Sequence, residues 1–384
     1  MEYIDRIISK SILKGLQHYG VTVITGPRQS GKSTLCRHLF ADYDYVNLEQ
    51  ISARELIASD PQGFIGGVSK GIVIDEAHYM PELFSYIQVE VDAHPQKHFV
   101  LTGSSNFALL ENVTQSLAGR ADLYTLAPFA MQELGGKLDN MDTYELLFRG
   151  LYPAAHVRNE FPERLYNNYY NTYIERDVRS LINVKNLSLF QLFIRLTAGR
   201  TGSEYNYSAI ADETGVSVPT IKQWMSVLEA SYIVFKLPPY YENISKRLSK
   251  MPKYYFYDTG ILCFLLGIEN PKQLETHPLR GAVLENLVVT EFAKAELNRG
   301  RQPNLFFYRD SRGTEIDLVR TSANELNFFE IKSSKTFNAK YFDNIKKVSP
   351  LFGERVTRSA VIYDGEQTLD SVQNGIYNYR RFLY

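Results

Sequence analysis

Eight consecutive residues, Gly26-Pro27-Arg28-Gln29-Ser30-Gly31-Lys32-Ser33, carry the most specific chemistry in this 384-residue chain. The two glycines let the backbone wrap so that amide N–H groups converge on anionic oxygens, and a helix starting at once behind them adds favourable potential. The G-x-x-x-x-G-K-S spacing therefore predicts a phosphate-binding loop in which Gly26 to Ser33, with Thr34, surround a nucleoside triphosphate, expected to be ATP. Lys32 should reach the β- and γ-phosphates and Ser33 should ligate Mg²⁺. Hydrolysis needs two further groups, and Gly71-Ile72-Val73-Ile74-Asp75-Glu76 offers both: Asp75 toward Mg²⁺ and Glu76 as general base. Arg120, in Leu117-Ala118-Gly119-Arg120, is the candidate for a charge-neutralising arginine finger, which would imply an oligomer if it acts in trans.

A second constellation lies near the C-terminal end. Glu285 sits in an apolar-periodic helix, followed by Glu315-Ile316-Asp317-Leu318-Val319 and Phe328-Phe329-Glu330-Ile331-Lys332. Strand residues two apart share a face, so Glu330 and Lys332 should project together with Ile331 turned into the core. An acid, a hairpin of about a dozen residues and Glu-x-Lys on the next strand resemble the PD-(D/E)XK nuclease pattern, although Ile316 stands where a proline often precedes the acid. That resemblance implies that Asp317, Glu330 and helix-borne Glu285 hold Mg²⁺ and that Lys332 activates water. Arg309 and Arg312 are then placed to hold a phosphate. Relatives that keep this fold without cutting leave a silent binding domain as the alternative.

These groups need elements to position them. Val21 to Ile24 is β-branched enough for a buried parallel strand, with a helix from Thr34; Gly71 to Ile74 and His98 to Thr102 predict two more strands. Tyr207 to Ile221 reads as helix, glycine turn, helix, with Ala211, Gly215 and Ile221 as close contact, hinge and core plug, and Leu228 to Leu237 supplies the strand of a wing. Its second helix, Ser217 to about Glu229, offers Lys222 and Gln223 to nucleic acid, which is thin for groove reading. Lys246, Arg247, Lys250 and Lys253 form a basic stretch that could track a phosphate backbone or simply face water. Glu175-Arg176-Asp177 falls in a helix expected from Arg164 to Leu181.

Composition narrows the classes. Hydrophobic residues are 44% and charged residues 22%, as in a folded chain, and a net charge of −1 excludes a protein that is cationic overall. Cys36 and Cys263 have no C-x-x-C spacing and are expected in the core. No apolar stretch approaches a membrane span, since the run from Ile261 to Ile268 is too short. With no signal-like N-terminus, a cytoplasmic location is expected.

Taken together, Gly26 to Ser33, Ile74-Asp75-Glu76-Ala77, Leu101-Thr102-Gly103-Ser104-Ser105, Leu117 to Arg120, Tyr173 to Asp177, Pro252 to Gly260 and Glu330-Ile331-Lys332 resemble the prokaryotic AAA-type ATPases with a C-terminal conserved domain of unknown function. That resemblance implies that Ser104 lies beside the γ-phosphate and orients water. The predicted architecture is α/β: an AAA-type parallel-sheet domain over 1–160, a helical and winged-helix-like region over 161–270, and a small α/β PD-(D/E)XK nuclease-like domain over 271–384. Expected partners are ATP with Mg²⁺, DNA or RNA, or a protein, and further copies of the chain; no membrane is expected.

Overall fold

Residues 3–103, 116–158, 160–173, 186–242, 250–382 and 384 are described by the computed structural model. Ser104, Ser105, Glu175, Arg176, Asp177, Lys246 and Arg247 fall outside them. The first sheet holds β1 (Val21–Thr25), β2 (Asp44–Asn47), β3 (Gly71–Asp75), β4 (His98–Thr102) and β5 (Ala121–Thr125), all parallel, in the order β2-β3-β4-β1-β5. Period-two alternation along β1 explains its two faces. Val21 and Val23 join one apolar cluster with Phe84 and Ile87 of the helix Leu83–Ala93, whereas Ile24 joins another with Leu35 and Cys36 of the helix Lys32–Leu39. Burial on both faces is what makes these strands read as near-continuous apolar runs.

The middle of the chain is helical. Asn206 caps Tyr207–Thr214, Gly215 turns the chain at φ +69°, and Ser217 caps Val218–Ala230. The strand expected after it begins only at Val234, because the helix runs on to Ala230. This β6 (Val234–Leu237) pairs antiparallel with β7 (Lys253–Phe256).

The second large sheet has the order β12-β11-β10-β9-β8 from β8 (Leu305–Arg309), β9 (Glu315–Ser322), β10 (Glu325–Lys332), β11 (Val356–Tyr363) and β12 (Gly375–Asn378). Strands β8, β9 and β10 pair antiparallel, and β10, β11 and β12 pair parallel. Phe329 and Ile331 pack with Leu284 and Val288 of the long helix Arg280–Asn298, while Phe328 packs with Ile345 and Val348 of the helix Asp343–Phe352. One buried cluster draws residues from Phe129 to Phe382 and joins the middle region to one face of the second sheet, whose other face packs into a cluster of its own, so apolar packing divides the chain near residue 128. Cys36 and Cys263 are both buried and free, as expected. Among the described residues no helix is long and apolar enough to cross a membrane.

Candidate functional sites

The phosphate loop leaves β1 at the carboxyl edge of its sheet, where open α/β sheets bind ligands. A Cβ at Gly26 would lie 2.3 Å from the Leu126 carbonyl oxygen, and φ is +138° there, so only glycine fits the bend. Gln29 (φ +62°), just inside the loop, and Glu76 (φ +54°), just beyond β3, are non-glycine residues in left-handed conformations, which cost L-residues about 1–2 kcal/mol each. Such outliers tend to gather where chemistry is done. The helix Lys32–Leu39 starts at the loop, and Arg28 to Leu35 with Glu76 line a cavity of about 710 Å³.

Lys32 is buried and donates to the carbonyl oxygens of Gly26 and Pro27, both at 2.9 Å. Burial pushes its ammonium down to about 8, against the opposing pull of Glu76 and Asp75. Asp75 is buried behind the cavity and accepts hydrogen bonds from Tyr45 and Thr102. Burial first, then the contact with Asp75, raises the Tyr45 phenol to about 12, and Arg37 stacks over the same ring at 3.7 Å. Glu76 borders the cavity with its Oε2 3.2 Å from His78 Nδ1. The site fits a nucleotide with Mg²⁺: Ser33 and Asp75 are hard oxygen donors, and the buried Ser30 hydroxyl has no protein partner.

Sequence reasoning missed the far wall of this cavity. Ile4, Arg6, Phe129, Pro153, Val157 and Tyr173 complete it from three distant parts of the chain. Arg6 donates to the Ser30 carbonyl at 2.9 Å, to the Ala127 carbonyl at 2.7 Å and to Glu133 at 3.1 Å, with its guanidinium over the Phe129 ring. Glu133 also accepts from the backbone N–H groups of Ile7 and Ala130. Next to it, Glu291 of the long helix accepts from the Met131 N–H at 2.8 Å, and Lys294 bonds both Glu291 and the Phe129 carbonyl. From the middle region, Tyr232 meets Thr25, the residue before Gly26, at 2.7 Å.

Arg120 stands apart from the phosphate loop of its own chain, which leaves only the trans form of the expected finger. It immediately precedes β5, so it lies at the amino edge of the parallel sheet, opposite the loop, and is held by Asp92 through two 2.7 Å hydrogen bonds.

In the C-terminal sheet the pairing that aligns Phe329 with Leu318 brings Glu330 beside Asp317. Lys332 Nζ lies 2.6 Å from Glu330 and 3.0 Å from Asp317, which also accepts from the Ile331 N–H at 2.8 Å. Ile331 is buried, as alternation requires. Burial, and then Asp317, raises the Glu330 carboxyl to about 8; burial opposes ionisation of Asp317, yet Lys332 and Lys253 hold it below the usual range. Lys253 was expected in a basic stretch facing water or phosphate. It is instead 2% exposed, with its ammonium 2.5 Å from Glu315 and 3.5 Å from Glu285, whose other contact is the Tyr255 hydroxyl at 2.6 Å. Arg309 is engaged with Glu315 at 2.6 Å, whereas the guanidinium of Arg312 is exposed and only approaches Asp310, at 3.6 Å.

The Mg²⁺ expected at Glu285, Asp317 and Glu330 does not fit this arrangement. Among the described residues no three His, Cys, Asp or Glu side chains are gathered closely enough to hold a metal ion. Two ammonium groups stand among the carboxylates instead.

Residues 18–135 match a sequence model of a family described as an AAA domain. This segment has the parallel-sheet fold of P-loop ATPases. Two further models, described as domains of unknown function, match residues 140–272 and 280–381. An uncharacterized protein of Mycobacterium tuberculosis is 29% identical over 361 residues, covering 92% of this chain and 78% of that one, and a Mycobacterium bovis protein gives the same figures. An uncharacterized protein of Haemophilus influenzae is 23% identical, with 85% of each chain covered. Among solved structures, a Walker-type ATPase of Pyrococcus abyssi aligns with 17% identity and a TM-score of 0.46, over 68% of this chain and 96% of that one. A signal-transduction ATPase with a tetratricopeptide-repeat sensor from Pyrococcus horikoshii aligns with 12% identity and a TM-score of 0.29, over 76% and 49%.

The depressed Lys32 of the ATPase domain has a measurable consequence. Triphosphate beside it favours the charged ammonium, so ATP binding near pH 8.5 should take up a proton, and affinity should fall as pH rises through about 8. Calorimetry in buffers of different ionisation enthalpy should report this uptake, and Lys32→Met should abolish it. Equal heats in all buffers for the parent would reject it.

Proposed function

We propose that ATP is bound at Gly26 to Thr34 and hydrolysed with Glu76 as general base, and that the cycle governs a nuclease-like C-terminal domain that binds nucleic acid. What supports the coupling is the shared cavity: the phosphate loop forms one wall, and the other includes Ala154, Leu165 and Tyr173, whose side chains belong to the apolar cluster of the middle region and second sheet. Lys32 then meets the β- and γ-phosphates, while Ser33 and Asp75 serve Mg²⁺. The metal supplies charge neutralisation on those phosphates. Glu76 takes the proton of the attacking water, and Ser104 is assigned to orienting that water. Arg120 acts only on a neighbouring copy in this reading, which makes the working form a homo-oligomer; sedimentation with ATP that finds only monomer would remove that part.

The coupling predicts that labelled DNA or RNA, followed by fluorescence anisotropy, binds at least about fivefold differently to the ATP-loaded Glu76→Gln chain and to the ADP-loaded parent. Equal affinities, or no binding of any nucleic acid, would defeat this reading. A second reading is favoured by one observation, the Lys253 ammonium among the acids: the domain binds without cutting, and a switch acting on a protein partner becomes the function if nucleic acid does not bind. Metal-dependent cleavage that disappears in Asp317→Ala and Lys332→Ala would return the nuclease.

A further inference from the structure

The acid centre of the C-terminal sheet is assembled from three parts of the chain. Glu285 comes from the long helix, Glu315 and Asp317 from β9, and Glu330 from β10, and Lys253 enters from β7 of the middle region. A lysine is almost never fully buried unless it is paired. Lys253 has 2% exposure, carboxylates at 2.5 and 3.5 Å, and the Phe307 ring 5.2 Å from its ammonium. Burial lowers its basicity; Glu285, Glu315 and Asp317 together more than reverse that and raise it above the ordinary value.

The surroundings hold this arrangement in place. The Tyr255 hydroxyl fixes Glu285, and Arg309 fixes the second oxygen of Glu315. At Gly202, with φ +70°, an added Cβ would come within 3.2 Å of the same Glu285 oxygen. Lys332 occupies Asp317 and one oxygen of Glu330, leaving buried Glu330 Oε1 with no protein partner. A Mg²⁺ ion needs a near-octahedral shell of oxygens at about 2.0–2.1 Å; the Lys253 ammonium beside Glu285 and Glu315 repels it and takes up the Glu285 oxygen, while Lys332 engages Asp317 and Glu330.

We infer that Lys253 is a resident cation of this centre alongside Lys332, and that a divalent ion can enter only where the Lys253 ammonium is removed. The inference rests on reading the domain as nuclease-like, and it assigns the middle region a part in that centre: β7 supplies the positive charge that a metal would otherwise bring.

The test uses Mn²⁺ alone, titrated into the nucleotide-free full-length chain and followed by the electron paramagnetic resonance signal of the free ion. The parent and Asp317→Asn should take up the same amount, because the parent's C-terminal centre takes none. Lys253→Met should gain one Mn²⁺ per chain, with affinity at least roughly tenfold above any uptake in the parent. Adding Asp317→Asn should remove that gain, and Lys253→Arg should behave as the parent. Uptake in the parent that Asp317→Asn abolishes overturns the inference, as does a folded Lys253→Met chain that gains nothing. If Lys253→Met lacks a cooperative thermal transition, Lys253→Gln takes its place and the parent against Asp317→Asn decides independently. Nucleic-acid binding is read separately by anisotropy, so its failure would sink the nuclease-like reading while leaving the metal result standing.

Discussion

Glu76→Gln is expected to bind ATP as tightly as the parent and to turn it over about 10²- to 10⁴-fold more slowly. The substitution keeps the size and hydrogen-bonding reach of the side chain but removes its ability to accept a proton. It also leaves the left-handed turn after β3 with a residue of similar shape, and Gln29 in the same domain already adopts that conformation. Asp75 remains clamped by Tyr45 and Thr102, so the metal side of the site should be undisturbed. Phosphate release measures turnover, and a fluorescent ATP analogue measures affinity. Unchanged turnover would strip Glu76 of the base role, and His78, 3.2 Å from it, would be the next side chain to substitute.

Lys294→Met should destabilise the chain by about 3–5 kcal/mol, because it strands the Glu291 carboxylate in a site where both side chains are 2% exposed. Burial already raises Glu291 above its ordinary value, and loss of Lys294 should raise it further. The sign of the pH effect follows. A carboxyl whose folded value exceeds its unfolded value is penalised least when protonated in both states, so the deficit should be smallest near pH 4 and grow as pH rises through the folded value. Urea unfolding at pH 5 and pH 8 measures this. The pair Glu291→Gln with Lys294→Met should recover much of the loss, since no buried charge remains unpaired. A deficit that does not change with pH would mean that Lys294 acts through its packing alone.

Much of the ATPase domain was legible because its chemistry is contiguous. Eight adjacent residues dictate the loop, and apolar runs before Gly26 and Asp75 dictate the strands that deliver them. In the C-terminal sheet, period-two alternation was enough to put Glu330 and Lys332 together and Ile331 inside. The rest depended on distance along the chain. Nothing local announces that Arg6 will clamp the Ser30 carbonyl, or that Lys253, in a stretch whose composition favours water, will end among carboxylates. Whether Arg120 could serve its own chain was open for a simpler reason: only once Ala121–Thr125 is known as a parallel strand does the residue before it fall at the amino edge, away from that chain's loop.

The apolar cluster shared between the middle region and the second sheet also bears on inheritance. The parallel sheet closes its own two clusters, so a recombination event falling near residue 128 would leave those clusters whole and break chiefly polar contacts such as Arg6 with Glu133 and Thr25 with Tyr232. One falling near residue 270 would split a shared interior and strand Lys253 from its acids. The two segments matched as separate domains of unknown function should therefore travel between genomes as a pair, and their sequences should drift in concert across that seam.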